Sequence, residues 1–230
     1  AFVMGTDLGP ATLSALGLLF PVGAPESYGF HLRHFYPFPI KMTNINPIRY
    51  AISKGHLASV TSMHAHHHAL APDMCTIAAE YGHLDILEYL HTHECVWTAS
   101  ACMLAAEYDH LDVLKYLHDN GCPWDSRTFE AAAANGNLEM IAYLHENACP
   151  FSPLTFVNAA RNKHLPVVRY LHDTGHAWDA GVTRWAAING DTRMLIYAVH
   201  NQCPWDRGDA DMLHAIRNHP KIKHFLRVIS

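Results

Sequence analysis

Apolar residues recur along this chain at a helical spacing, with polar residues between them. In the stretch 111–120, Leu111, Leu114 and Leu117 are three residues apart, while Asp119 lies off this stripe. Apolar residues at this spacing form one face of an amphipathic helix, and polar residues occupy the opposite face. The stretch is therefore predicted to be a helix that buries one side.

The pattern returns with a period of 27 residues. Four columns of equivalent residues keep this step. They are Tyr89, Tyr116, Tyr143, Tyr170 and Tyr197; Cys95, Cys122, Cys149 and Cys203; Trp97, Trp124, Phe151, Trp178 and Trp205; and Gly55, Gly82, Gly136 and Gly190. A fixed period of this size is typical of stacked supersecondary units, in which each unit buries its apolar face against its neighbours.

Each unit is predicted to contain two helices, a short alanine-rich one such as 129–135 and a second one such as 111–120. The glycine column supplies the positive φ that a tight turn between them needs. Polar residues that can start the second helix follow the glycine column: His56, His83, His110, Asn137, His164 and Asp191. Residues that can cap the next first helix follow the aromatic column: Thr98, Asp125, Ser152, Asp179 and Asp206.

The aromatic column is predicted to lie in the core between repeats, with Trp124 between the third and fourth units. On that interpretation Trp124→Ala costs about 3 to 5 kcal/mol, and Trp178→Ala behaves alike. The histidines that follow the tyrosine column are expected to cap or bridge neighbouring repeats: His91, His118, His145 and His172.

The run AAEYDHLDVLKYLHDNGCPWD, residues 105–125, resembles the ankyrin repeat, where AAxxGHxxxVxxLLxxGA marks the paired helices. The resemblance covers roughly residues 47–230. The unit is shorter than the usual ankyrin unit of about 33 residues. The missing residues belong to the projecting β-hairpin finger, and the threonine–proline helix start is also absent. The chain is similar to the short, CPWD-bearing ankyrin-like arrays of some protists, fungi and giant viruses. The resemblance implies an all-α solenoid of stacked helix-turn-helix repeats without long β-hairpin fingers.

Two regions are predicted. Residues 1–46 do not follow the repeat and are interpreted as an N-terminal extension or cap. The apolar run 11–22 within them is either a capping helix or the remnant of a targeting segment. Residues 47–230 are predicted to form about six repeats plus a C-terminal capping piece. The lack of an initiator Met is compatible with a piece of a longer protein.

Charge and apolar content narrow the function classes. The net charge is −5 and no basic tract is present, which argues against a general nucleic-acid binder. No apolar run reaches the length of a membrane-spanning helix of roughly 18 residues, so no membrane insertion is expected.

The cysteines and one histidine cluster are the candidate chemical groups. Equivalent cysteines in neighbouring repeats lie beyond disulfide reach, so all six are expected to be buried thiols in the cytoplasm or another reducing compartment. His64, His66, His67 and His68 either bind zinc or nickel weakly or mark an eroded repeat end. The second interpretation is preferred, and no metal, cofactor or small-molecule substrate is expected.

The chain has no phosphate-binding glycine loop and no HExxH or GxSxG motif, so it is not expected to be an enzyme. The predicted function is a protein–protein interaction module or scaffold that binds another protein through the concave groove of the repeat stack. The alternative is a structural subunit lodged in a large macromolecular assembly.

The resemblance also implies where a partner binds, because in ankyrin-like proteins the two residues before the turn glycine face the groove. Glu80, Tyr81, Glu107 and Tyr108 are predicted to form an acidic, aromatic patch that favours a basic partner segment. The alternative is an ordinary solvated face. The candidate partner-binding residues are Glu80, Tyr81, Glu107, Tyr108, Asn135, Arg161, Asn162 and Asn189.

Overall fold

The computed structural model describes residues 46–206 and 208–229. The predicted N-terminal extension or cap, residues 1–46, lies outside the described residues except for Asn46. Two compact units are present, one ending at Val96 and the other beginning at Trp97. The described residues form fourteen α-helices and no strand, which confirms the all-α prediction.

The helices come in pairs joined by short turns. The first unit contains α1 (Pro47–Ser53), α2 (Leu57–Ala65), α3 (Met74–Glu80) and α4 (Leu84–Thr92). The second unit contains α5 (Ala99–Glu107), α6 (Leu111–Asp119), α7 (Ser126–Asn135), α8 (Leu138–Glu146), α9 (Leu154–Arg161), α10 (Leu165–Asp173), α11 (Gly181–Ile188), α12 (Thr192–His200), α13 (Ala210–Asn218) and α14 (Pro220–Ile229).

First helices pack side by side within each unit. In the first unit α1 packs on α3, and in the second unit α5, α7, α9, α11 and α13 form one continuous row. Each second helix packs on the first helix of its own pair. This arrangement is that of a solenoid, in which a repeat contacts only its neighbours.

Alanines let the first helices approach one another closely, and larger apolar side chains fill the space behind them. Ala132 and Ala133 are fully buried, and the ring of Phe129 on the same helix is 1% exposed. On α6 the predicted stripe is confirmed at Leu114 and Leu117, which are fully buried. Burial of each such side chain stabilises the fold by roughly 1.5 to 3 kcal/mol. Because every repeat contributes side chains of this kind, the stabilisation is distributed along the repeats.

In the first six pairs, the turn between the two helices contains one residue with a left-handed backbone, whereas His219 between α13 and α14 has φ −114°. The predicted glycines adopt it, and so do the two residues that replace glycine in this column, Asp109 at φ 67° and Lys163 at φ 65°. A second left-handed position follows each second helix, at His67, Glu94, Gly121, Ala148, Gly175 and Gln202.

These left-handed residues belong to a standard helix C-terminus. After α6, the N–H of Gly121 donates to the carbonyl of His118 (3.0 Å) and the N–H of Cys122 donates to that of Leu117 (2.9 Å). These two hydrogen bonds satisfy carbonyl groups at the helix end. They require a residue with a left-handed backbone just after the helix, which here is Gly121. The sequence did not indicate the second column, because only two of its six members are glycine.

The predicted side-chain cap of the first helix is confirmed at Asp125, whereas the N-cap residues of α9, α11 and α13 are Pro153, Ala180 and Asp209. The carboxylate of Asp125 accepts a hydrogen bond from the N–H of Arg127 (3.0 Å). Ser152, Asp179 and Asp206 accept in the same way from the N–H two residues further on. Thr98 precedes α5 but its side chain makes no such bond.

The column at the start of the second helices divides into two groups. Asn137 and Asp191 cap their helices, accepting from the N–H groups of Met140 and Met194 at 3.0 Å. His164 instead places its Nε2 2.9 Å from the carbonyl oxygen of Ala134 in the preceding repeat. The predicted helix start is therefore confirmed, while this histidine connects repeats and does not cap its helix.

The aromatic column bridges repeats but is not core. Trp124 is only half-buried; its ring stacks on His118 with centroids 3.8 Å apart and meets the ring of Tyr143 in the next repeat at 6.2 Å. The fully buried rings are Phe129 and Phe156. The predicted core role of Trp124 was wrong in degree, because a large ring with a polar N–H is rarely enclosed completely.

Candidate interaction face

The C-terminal ends of the first helices carry the tyrosines that the sequence analysis singled out. Tyr81 is the C-cap of α3 and Tyr108 the C-cap of α5. They are 48% and 51% exposed, whereas the alanines two residues before them, Ala79 and Ala106, are fully buried. The helix ends therefore leave the packed region within two residues, and both phenol rings face solvent.

A carboxylate precedes each tyrosine. Glu107 is exposed and Glu80 is half-buried. In the first unit the ring of Tyr81 stacks on that of His83, with centroids 6.4 Å apart. Glu80 and Tyr81 belong to the first unit and Glu107 and Tyr108 to the second. Their action as one joint patch stays a prediction.

Asn135 and Asn189 connect first helices of the second unit through side-chain hydrogen bonds. The amide of Asn135 donates to the carbonyls of Ala106 (2.9 Å) and Glu107 (2.6 Å). The amide of Asn189 repeats this geometry two repeats further along the row, with the carbonyls of Ala160 and Arg161. Carbonyls at a helix end lack partners within the helix, so these amides tie adjacent repeats together.

Arg161 and Asn162 lie at the end of α9 and are both exposed. The guanidinium carbon of Arg161 lies 4.6 Å from the centroid of the Trp185 ring, a cation–π contact that limits its motion. The predicted partner-binding residues of the second unit are called the interaction face below, and their binding of a partner stays a prediction: Glu107, Tyr108, Asn135, Arg161, Asn162 and Asn189.

Histidines and aromatic rings link the second helices to the next repeat, as expected. His172 Nδ1 lies 3.0 Å from the hydroxyl of Tyr197. His145 Nδ1 lies 3.2 Å from Nε2 of His176, and the imidazole of His176 stacks on Phe151 at 4.0 Å. Burial, with a smaller contribution from His145, lowers the pKa of His176.

The histidine cluster at the end of α2 is dispersed. His64 Nδ1 lies 2.8 Å from the hydroxyl of Tyr89, so its ring joins two repeats. His66, His67 and His68 are exposed. Over the described residues, no three histidine, cysteine or acidic side chains come together in a way that could hold a metal ion.

The cysteine column fastens the loop after each second helix. All six cysteines are buried and free. The thiol of Cys149 donates to the carbonyl of Asp125 (3.6 Å), and that of Cys203 to the carbonyl of Asp179 (3.3 Å). Burial raises the pKa of both Cys149 and Cys203 to about 12. Thiols protonated at neutral pH are poor nucleophiles, so these cysteines are structural.

Cysteines from different columns meet inside one repeat, which the sequence analysis missed because it compared only equivalent positions. Cys75 approaches Cys95, with its sulfur 3.7 Å from the Cys95 carbonyl oxygen. A hydrogen bond from the Cys75 thiol is the main cause that lowers the pKa of Cys95 to about 7. Cys102 likewise hydrogen-bonds Cys122, and its pKa is raised by that bond and by burial.

Within the residues that the structure describes, none of the helices combines enough length and apolar character to span a bilayer.

Comparison with known proteins agrees with this geometry. Residues 75–154 match the model of a family described as ankyrin repeats (3 copies). The crystal structure of the human ASB11 ankyrin repeat domain is similar, with a TM-score of 0.60 and 15% sequence identity. That alignment covers 72% of this chain and 88% of the other. No curated protein matches this sequence.

Proposed function

We propose that this chain is a protein–protein interaction module or scaffold that binds its partner along the first-helix ends, because residues 75–154 match the ankyrin-repeat family model and the fold is similar to that of an ankyrin repeat domain. Ankyrin repeats are generally protein–protein interaction modules, and their fold is not a catalytic one. The observation that carries the proposal is the exposure of Tyr81 and Tyr108, at 48% and 51%. Exposed tyrosines that are not needed for packing are frequent interface anchors.

The chemistry beside these tyrosines suggests the partner. Glu107 is exposed next to Tyr108, and Glu80 precedes Tyr81, so we place a basic segment of another protein against them. The face is held in shape before binding by the amides of Asn135 and Asn189, which reduces the ordering entropy lost on association. Arg161 and Asn162 extend the contact along the concave side of the stack.

The proposed role needs no catalysis, cofactor, nucleic acid or small-molecule substrate. We place it in the cytoplasm or another reducing compartment, since six buried cysteines stay as free thiols.

Site-specific photo-crosslinking tests where the partner lies. A photoreactive amino acid replaces Tyr108 in one variant and Tyr50 in a control, Tyr50 being an exposed tyrosine in the middle of α1. We expect partner peptides to crosslink at position 108 and not at position 50. Mass spectrometry then identifies the peptide, which is expected to be rich in Lys and Arg.

Affinity for the captured partner gives the second measurement. Tyr81→Ala combined with Tyr108→Ala is expected to weaken binding by about tenfold or more, as the loss of an interface anchor does. Tyr50→Ala is the matched control, and circular dichroism verifies that each variant is folded. Unchanged affinity in the double variant would move the site to the far end of the row or to residues 1–46.

The alternative, a structural subunit of a large assembly, differs in the behaviour of the isolated chain. An exchangeable module is expected to sediment as a monomer, whereas a subunit removed from its assembly exposes apolar faces and aggregates. Sedimentation velocity of the purified chain over a range of concentrations separates the two.

A further inference from the structure

Charge is unevenly distributed along the chain. Residues 46–160 contain four Lys and Arg against 13 Asp and Glu, a net charge of −9. Residues 161–230 contain ten against six, a net charge of +4. The net charge of −5 for the whole chain conceals this difference. A local excess of one sign attracts a partner of the opposite sign whatever the total charge is.

Three of the cations converge on one depression in the second unit. Lys163 at the turn before α10, Arg193 in the first turn of α12 and Lys221 near the start of α14 line a cavity of about 490 Å³. Asn189 and Asp191 line it as well. Each cation comes from a different repeat, and stacking of the repeats brings them together.

A second cavity of about 530 Å³ continues the first, since Lys163 and Arg193 line both. It adds a fourth cation, Arg169, and three apolar side chains: Leu165, Pro166 and Ile196. The two cavities together, lined by these four cations and three apolar residues, are called the basic cavity below.

In the part of the chain that the structure describes, four cations line the basic cavity against one carboxylate, that of Asp191, so cationic charge is in excess there. Across the described residues, no carboxylate lies within ion-pair distance of its four cations. Elsewhere in the same unit Arg127 pairs with Asp125 at 2.7 Å. Asp191 is the nearest acidic group in sequence, and its carboxylate caps α12 by accepting from the N–H of Met194.

We propose that the basic cavity binds a short acidic segment of a partner protein, with an apolar side chain of that segment on Leu165, Pro166 and Ile196. Arginine presents a planar fork that matches a carboxylate, and lysine adds a point charge. Binding would relieve the mutual repulsion of four cations. The basic cavity adjoins the interaction face at Asn189 but uses other side chains, so this inference does not depend on the proposed function.

An acidic peptide fits better than a nucleic acid. A single-stranded nucleic acid usually needs aromatic rings on which its bases stack. No aromatic ring is among the described residues that line the basic cavity, and the ring of Tyr197 is covered by the guanidinium of Arg169 at 5.0 Å. A longer polyanion would also be repelled by residues 97–160 of the same unit, whose two Lys and Arg against eight Asp and Glu give a net charge of −6, whereas a short segment needs only the cavity.

Fluorescence anisotropy with a labelled peptide tests the inference on the full chain. The probe is a short Asp- and Glu-rich peptide that carries one leucine, and its comparison peptide has Asn and Gln at the acidic positions. The acidic peptide is expected to bind and the neutral one not, with affinity falling as salt rises. Failure of the acidic peptide to bind at low salt overturns the proposal, as does tighter binding of oligouridine RNA of equal charge.

Variants locate the binding. Lys163→Ala with Arg193→Ala is expected to weaken the peptide about tenfold, because two charge-assisted contacts are lost. Arg217→Ala with Lys223→Ala removes two exposed cations that do not line the cavity and is expected to leave affinity unchanged. Equal weakening by both pairs of substitutions would mean that peptide binding depends on the net charge of the chain and not on the basic cavity. If the chain self-associates and only the first pair of substitutions abolishes this association, the occupant of the basic cavity is a second copy of the chain and not another protein.

Discussion

At the scale of single residues, the left-handed turn positions show how strongly the fold constrains the backbone. Both turn columns have positive φ in the first six helix pairs, although several members are not glycine. A residue with a Cβ is strained in this conformation by roughly 1 to 2 kcal/mol. The helix ends therefore keep this geometry at a measurable cost in folding free energy. The sign of the change in stability can be predicted for a substitution at these positions.

Exchange of glycine and alanine within one column is expected to give opposite effects. Gly121 has φ 80° with open space around its missing Cβ, and Ala148 has φ 53° at the equivalent position. Gly121→Ala should destabilise the protein by about 1 kcal/mol, and Ala148→Gly should stabilise it by a similar or smaller amount. Urea unfolding measures both free energies.

Gly136→Ala provides the comparison, since it has nearly the same φ but a crowded site. A Cβ there would overlap the imidazole of His164, which holds the carbonyl of Ala134. Its cost should exceed that of Gly121→Ala. Equal costs would mean that the imidazole moves away without loss.

His176 makes folding stability depend on pH. Its pKa is lowered by burial and by His145, so the unfolded chain binds its proton more tightly than the folded chain. Stability from this group is therefore complete above its ordinary pKa of about 6.5 and is lost as the pH falls through the window down to the lowered value. The melting temperature should drop less between about pH 7 and pH 5 in His176→Phe than in the parent protein. An identical fall in melting temperature in the variant and in the parent protein would show that His176 does not cause the pH dependence of stability.

At the scale of elements, the repeat interface has a dry core and a partly wet aromatic edge. The core consists of alanines and of Phe129 and Phe156 on the first helices. The edge consists of half-buried rings such as Trp124 and Trp178, stacked on His118 and His172. Both layers connect repeats, but only the first is excluded from water.

Alanine substitutions should distinguish the two layers. Phe129→Ala is expected to cost about 3 to 5 kcal/mol, because a fully buried ring is removed and a cavity is left. Trp124→Ala should cost less, about 2 to 3 kcal/mol, since half-burial reduces the area lost and the stack on His118 is partly open to solvent. Urea unfolding again gives the free energies; a larger loss for Trp124→Ala would restore the core interpretation.

At the scale of the whole molecule, the extensive helix–helix contacts of the described residues run within a pair of helices or between neighbouring pairs of the same unit. Stability of such a chain is close to a sum of local terms and nearest-neighbour interfaces. Damage to one repeat is therefore expected to spread a short distance along the chain.

Hydrogen exchange measures that distance. Phe156 is fully buried on α9, which packs on α7 and α11. Phe156→Ala is expected to accelerate amide exchange most in α9 and α10, less in α7 and α11, and least in α1 to α4. Uniform acceleration over all helices would show that the molecule unfolds as a single cooperative body.

Local order was predictable from the sequence because the period copies one short pattern many times. The paired helices, the buried stripe with Leu114, the cap at Asp125 and the exposure of Tyr81 and Tyr108 all depend on neighbours within a few residues. A column that recurs every 27 residues reports the same local environment repeatedly, so errors in one repeat are corrected by the others.

Contacts between columns were decided only by the tertiary structure. The amide of Asn135 reaches back to Glu107, Cys75 meets Cys95, and Lys163 and Arg193 line a common cavity. The sequence period aligns equivalent residues, but it does not reveal which different columns meet when repeats stack. That depends on how far each helix is rotated and displaced against its neighbour, because a shift of a few ångströms changes which side chains touch.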